Sequence, residues 1–329
     1  MNIDLAFNYW IVTSLLNIGS WFSHIMLVFT WLGNPQSYMV IIAIIYWSID
    51  RKLGLRMALF LTFSASINSI LKQAFHAPRP YWIDARINAI HVSNGFGMPS
   101  GHAQASTVWL FIAAWTKSKK FWGLAIAITL LVGLSRIYLG VHFPSQVLAG
   151  WIIGILIIIL LNRFEFKFAL WFKLVKLPYQ LLFVSGITLI FVFLGGIFVL
   201  ISKDWDIPLD WIIKASPYME GSKESILSSK GMESVISNAG GFLGAAMGGI
   251  LIDRMGGFNA VGVWWKRLLR SILGLTLILI VYAFFRYFGP DEKRILLFYL
   301  WRFIGFFVIL FSEIFLAPLL FKNIKLLTN

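Results

Sequence analysis

Apolar runs long enough to cross a bilayer recur along the whole chain, and they constrain its fold more than any other feature. A hydrocarbon core about 30 Å thick requires about 20 consecutive apolar residues in a helix. Candidate spans lie at 9–31, 36–49, 54–71, 103–116, 121–138, 146–162, 178–202, 233–253, 268–285 and 295–320. The first is the weakest, because Asn17, Ser20, Ser23 and His24 interrupt it, and an amphipathic helix in the interface fits it as well. Lipid admits only helices or closed barrels, and no segment alternates as a barrel strand does, so the expected class is all-α and polytopic. Composition agrees. Of 329 residues, 59% are hydrophobic and only 13% charged, against about 25% charged in soluble domains. So few charges cannot clothe a soluble globule. That excludes a cytosolic enzyme, a disordered chain and a nucleic-acid-binding domain, despite a net charge of +14. The absence of cysteine excludes a disulfide framework, a thiolate-held metal and a thiol nucleophile.

The basic residues set an expected orientation. Arg51, Lys52 and Arg56, then Lys117, Lys119 and Lys120, then Arg163, Lys167, Lys173 and Lys176 fall in alternate loops. Arg254, Lys266, Arg267 and Arg270, and finally Lys322 and Lys325, continue the series. The positive-inside rule assigns these loops and both termini to the cytoplasm. Two long polar loops, 72–102 and 203–232, then face the other way. Glycines 240, 241, 244, 248 and 249 recur at helical spacing in the eighth span, which suits close helix packing.

Three clusters on that opposite face carry residues that are costly in a membrane. They are Lys72 to Pro80 (Lys-Gln-Ala-Phe-His-Ala-Pro-Arg-Pro), Pro99-Ser100-Gly101-His102, and Ser135-Arg136 followed by His142-Phe143-Pro144-Ser145-Gln146. Two arginines and a lysine can neutralise the non-bridging oxygens of a phosphate. Ser100 and Gly101 open a helix, where free amides attract anions. Two histidines can divide the roles of nucleophile and of acid for a departing alkoxide. No acidic cluster accompanies them, so the expected chemistry is phosphoryl transfer without a cofactor or a metal.

The three clusters, Lys-x6-Arg-Pro, Pro-Ser-Gly-His and Ser-Arg-x5-His, resemble the three-part motif of the type 2 phosphatidic acid phosphatase superfamily. That group includes lipid phosphate phosphatases and glucose-6-phosphatases. The resemblance covers roughly residues 30–162. Together with the apolar spans, it leads to an expected six-helix phosphatase core over 1–162, and the later spans to an accessory bundle of about four transmembrane helices, of unknown role, over 163–329. It also implies that Lys72, Arg79, Ser100, Gly101 and Arg136 bind phosphate, that His102 protonates the leaving group, and that His142 becomes a phosphohistidine. Most members place Asp four residues after that histidine. This chain has Gln146, whose carbonyl can still accept the ring N–H. The segment Leu134 to Val147 and Arg79-Pro80-Tyr81-Trp82 look similar to the glucose-6-phosphatase branch, which also has Gln there.

The expected function is therefore hydrolysis of a lipid phosphate monoester at the non-cytoplasmic face, with membrane lipids as partners. Two rivals remain: a sugar-phosphate phosphatase, and a lipid transporter or flippase retaining a phosphate-binding site. A bacterial inner membrane with a periplasmic site and an endoplasmic reticulum membrane with a luminal site share this topology. His76 and His91 read as ordinary loop histidines, and Tyr81 and Trp82 as either a substrate wall or an interfacial belt. Arg302 and Glu313, eleven residues apart in the last span, are too distant to pair with each other and must look to other helices.

Overall fold

The computed structural model describes residues 3–16, 20–90, 92, 95–218, 226–291 and 293–327. His91 and Asn17 lie outside them. Fifteen α-helices follow in order among these residues: α1 Ile3–Leu16, α2 Ser20–Leu32, α3 Pro35–Ser48, α4 Arg51–Phe75, α5 Pro80–Ile83, α6 Gly101–Ser106, α7 Val108–Thr116, α8 Lys119–Tyr138, α9 Pro144–Leu174, α10 Leu177–Ile201, α11 Leu209–Ala215, α12 Glu233–Arg254, α13 Trp264–Tyr287, α14 Ile295–Phe311 and α15 Ala317–Asn323. A π-turn, Ser312–Leu316, joins the last two. The protein is all-α and multi-pass.

Among the described residues, seven stretches are long and apolar enough to cross a membrane: Arg51–Ile83, Lys119–Tyr138, Pro144–Glu165, Leu177–Ile201, Glu233–Arg254, Trp264–Tyr287 and Ile295–Asn323. Nine or ten had been expected, and the difference has local causes. The run 9–31 is divided between α1 and α2, and α2 qualifies only together with α3 as one bent pair. The run 103–116 is broken at Thr107, whose N–H and Oγ1 both turn back to the Gln104 carbonyl, at 3.3 and 2.7 Å. The resulting helices of 6 and 9 residues are each too short to span.

The chain forms two compact units that interleave along the sequence. One comprises Met1–Ser37, Ile67–Ile158 and Gly195–Gly231; the other comprises Tyr38–Ser66, Ile159–Leu194 and Met232–Asn329. In the first unit, α9 lies close against the α6–α7 break. A Cβ on Gly150 would stand 2.6 Å from the Ser100 carbonyl oxygen, and one on Gly154 would stand 2.3 Å from Thr107 Oγ1. Asn8 Oδ1 accepts the Ser145 N–H at 3.1 Å, so α1 ties down the start of α9. In the second unit, the glycine stripe of α12 meets the backbone of α14. A Cβ on Gly240 or Gly244 would fall 2.4 or 2.3 Å from the carbonyl oxygen of Phe303 or Phe307. Arg302 also turns to α12: Nε donates to Ser237 Oγ at 3.1 Å, and Nη1 lies 3.9 Å from Glu233 Oε2.

Candidate active site

The first and third clusters meet at His142. Arg79 stands between two prolines, and a residue before proline is confined to extended backbone; its φ and ψ are −91° and 159°. From there Nε donates to the Gly95 carbonyl at 2.8 Å, and Nη1 donates to the Val141 carbonyl at 3.1 Å. The same Nη1 lies 3.1 Å from His142 Nε2. Lys72, in the last turn of α4, donates to the Phe96 carbonyl at 2.6 Å. Gly140, at φ +72°, turns the chain from α8 to His142. A side chain there would also meet the Asn88 carbonyl oxygen at 3.1 Å.

Gln146 fixes the imidazole. Its Oε1 accepts from Phe143 N–H at 3.2 Å and lies 3.0 Å from His142 Nδ1, while its Nε2 donates to the Pro78 carbonyl at 2.7 Å. The Phe143 N–H needs an acceptor and the Pro78 carbonyl needs a donor, so the amide can sit only one way round. Nδ1 must then carry the ring proton, and the Nε2 lone pair points at Arg79. Burial first, then the charges of Arg79, Arg136 and Lys72, hold this imidazole well below the usual histidine range. The hydrogen bond to Gln146 opposes them. Its surroundings therefore favour the neutral ring.

The second cluster joins through the backbone, where Ser100 N–H donates to the Gln146 carbonyl at 3.0 Å. The Ser100 hydroxyl is buried and has no hydrogen-bond partner among the described residues. Since α6 has only six residues, Gly101 offers a local amide and Ser100 its hydroxyl, rather than a long helix dipole. His102 Nε2 lies 2.7 Å from Asn34 Oδ1, an acceptor, so that nitrogen bears a proton. Gly33 leaves room for the His102 ring, because a Cβ there would come within 3.0 Å of Cδ2. Arg136, fully buried, donates to Thr30 Oγ1. Asn68 holds the turn before α6 by donating to the Gln104 side chain at 2.8 Å and the Pro99 carbonyl at 3.3 Å.

An aromatic layer adjoins these residues. Trp82 packs against Phe96 and Trp211, with centroids 6.2 Å apart in each case, and Tyr81 packs against Tyr218 at 5.3 Å. His76 sits between Phe96 at 4.9 Å and Trp205 at 4.8 Å. Tyr81 and Trp82 are fully buried, which corrects the interfacial-belt reading. The segment carrying Trp205, Trp211 and Tyr218 is tied down by Lys214 to the Ile83 carbonyl at 3.0 Å and by Tyr218 to the Ile87 carbonyl at 3.1 Å. Gln73 adds bonds of 2.9 Å to the carbonyls of Ser229 and Gly231.

Residues 53–170 match the PAP2 superfamily, and residues 236–329 match the transmembrane extension of PAP2 superfamily phosphatases. Phosphatidylglycerophosphatase B of Bacillus subtilis (strain 168) is 34% identical over 161 residues, which is 45% of this chain and 77% of that protein. The chain belongs to the PAP2 superfamily. Human glucose-6-phosphatase 3 is 29% identical over 169 residues, 44% of this chain and 49% of that protein. The crystal structure of a transmembrane PAP2-type phosphatidylglycerolphosphate phosphatase from Bacillus subtilis is 28% identical, covering 51% of this chain and 88% of that one with a TM-score of 0.44. All eight candidate site residues fall within the first PAP2 match and inside the first compact unit. Asn34, Thr30 and Asn68 were missed. Each reaches a motif residue from another helix or turn, and nothing in its own sequence neighbourhood marks it.

Proposed function

We propose that this PAP2 protein hydrolyses a lipid phosphate monoester through a phosphohistidine at His142. Lys72, Arg79 and Arg136, with Ser100 and Gly101, bind the phosphoryl oxygens. His142 Nε2 attacks phosphorus, and the bond to the alkoxide breaks as His102 delivers a proton to it. Water, giving a proton back to His102, then attacks the phosphohistidine; inorganic phosphate leaves and both histidines are restored. The charge on the phosphoryl group is met by the three cations, and the reaction is metal-independent. The observation that carries this reading is the Gln146–His142–Arg79 chain of contacts, which holds one ring nitrogen unprotonated beside a guanidinium. The aromatic layer favours a lipid over a sugar. The charge asymmetry favours a non-cytoplasmic site, periplasmic or luminal.

A sugar phosphate is the second reading, supported by Gln146 and by the glucose-6-phosphatase relatives. Phosphate release from phosphatidic acid, phosphatidylglycerophosphate, a sphingoid phosphate and glucose 6-phosphate by the purified protein separates the two. A transporter retaining only a binding site releases no phosphate from any of them. His142→Ala should abolish turnover and acid-labile phosphoryl labelling together. His102→Ala should spare labelling from substrates with good leaving groups. Activity should persist in EDTA, and retention of most activity by His142→Ala would sink the mechanism.

A further inference from the structure

The second compact unit contains a cavity of about 640 Å³ that the phosphatase chemistry does not use. Its wall comes from the turn into α4 (Ile49 to Lys52), the loop between α12 and α13 (Met255 to Val261), and the chain's last described stretch (Lys322 and Leu327). Three cations line it against a single carboxylate, and that carboxylate has other work. Asp50 Oδ1 accepts the N–H groups of Lys52 and Leu53 at 2.9 and 3.1 Å, capping α4. Arg51 is held in place: it pairs with Asp253, lies 5.8 Å from the Phe258 ring centroid, and rests against the backbone of Gly257. Gly257, at φ +70°, has no room for a side chain, since a Cβ would be 2.7 Å from the guanidinium carbon. Lys52 and Lys322 are exposed and form no ion pair among the described residues.

A second fixed charge lies behind the same loop. Arg270 is fully buried, and its Nη1 reaches the carbonyl of Asn259, a wall residue, at 3.5 Å. Its Nη2 has no hydrogen-bond partner among the described residues. Arg270 does not line the cavity, but its buried charge adds to the positive potential of the loop that does. The rim is apolar and exposed: Ile49, Met255 and Val261 border the cavity, and Trp264, 75% exposed, opens α13 next to it. Tryptophan at a helix end is typical of the membrane interface. A soluble anion would gain nothing from such a rim, whereas acyl chains would cover it.

We propose that this cavity binds a phosphate group carried by the headgroup of an anionic lipid. The loops that form it are those the charge asymmetry assigns to the cytoplasmic leaflet, where anionic lipids create an attractive surface potential. The site shares no residue with the phosphate-binding set around His142. It gives the transmembrane extension a ligand of its own.

The test is the apparent affinity of the purified, delipidated full chain for dioctanoyl phosphatidylglycerol, followed by thermal shift. A His142→Ala background keeps the lipid from being turned over. Dioctanoyl phosphatidylcholine and glycerol 3-phosphate are the comparison ligands. The double variant Lys52→Gln/Lys322→Gln should weaken phosphatidylglycerol binding by about tenfold or more, while Lys119→Gln/Lys120→Gln, which removes two lysines outside the cavity, should not. Gly257→Ala, which displaces the Arg51 guanidinium without changing charge, should also weaken it. Equal loss in the two lysine pairs would reduce the effect to general surface electrostatics and overturn the proposal. Cavity-dependent binding of glycerol 3-phosphate as tight as that of the lipid would assign the site to a soluble phosphate compound instead. Unchanged binding in every variant would leave no site at all.

Discussion

The Gln146 side chain is engaged at both its oxygen and its nitrogen, and one of these contacts is one that an aspartate could not make. An aspartate here could accept from His142 Nδ1, but it has no N–H to offer the Pro78 carbonyl, which Gln146 Nε2 reaches at 2.7 Å. Gly97 is part of the same fit, because a Cβ there would stand 2.6 Å from that amide nitrogen. The pH dependence follows from the charge. His142 already lies well below the usual histidine range, through burial and three neighbouring cations. Its neutral, nucleophilic form therefore persists as the pH falls through the ordinary histidine range. Gln146→Asp adds a negative charge that favours imidazolium and raises the ring's pKa. The acidic limb of kcat/KM, which reports free-enzyme groups, should move to higher pH in that variant. Gln146→Ala should lose rate across the whole range, since the tautomer is no longer fixed; loss of an orienting partner costs about 10⁴ in kcat in the serine-protease case. A pH–rate profile of the three proteins on one substrate decides. Superimposable acidic limbs for wild type and Gln146→Asp would mean that residue 146 does not govern His142.

Helix contacts in the second unit set different tolerances for similar-looking residues. Gly244 lets α12 approach the α14 backbone, so Gly244→Ala forces the two apart and should lower stability by about 1–3 kcal/mol. Gly186 in α10 has nothing within 4 Å of its absent Cβ, and Gly186→Ala should leave stability unchanged or raise it by up to about 1 kcal/mol. Thermal unfolding in detergent would show the contrast, and equal shifts would contradict the packing. The π-turn at 312–316 has a local cause. Pro318 has no N–H for the Ile314 carbonyl, and the Tyr46 hydroxyl supplies that bond at 2.9 Å. Trp47 Nε1 serves the Glu313 carbonyl at 2.8 Å in the same way. The Glu313 carboxyl itself is buried, and neither oxygen has a hydrogen-bond partner among the described residues. An unmet polar group of this kind costs about 1–3 kcal/mol, so Glu313→Met should raise the unfolding midpoint. A fall would show that the carboxyl has a stabilising partner to lose.

At the scale of the molecule, the sequence was most readable where physics acts locally. Apolar length marked all seven long spans, and Lys72, Arg79, His102, Arg136 and His142 announced themselves as charge or imidazole where lipid tolerates little of either. Partners brought in by tertiary contact were not readable: Thr30 against Arg136, Asn34 against His102, and the aromatic layer from 205–218 against Trp82. Thr107 also hid its effect, since a single threonine in an apolar run gives no sign that it will break a helix. The orientation rests on charge counting alone, and the absence of cysteine makes it directly testable. Single cysteines placed at Asp206→Cys, in the segment beside the aromatic layer, and at Lys120→Cys, at the start of α8, can each be probed with a membrane-impermeant maleimide. Both positions are exposed, so accessibility will reflect the side of the membrane rather than burial. If basic loops are cytoplasmic, intact cells or right-side-out vesicles should label the Asp206 variant, and the Lys120 variant should label only after permeabilisation. The reverse pattern would invert the protein and turn the proposed active site to the cytoplasm. Labelling of both from outside would mean that α8, α9 and α10 do not all cross the membrane between Lys120 and Asp206, and the charge reading would have to be given up.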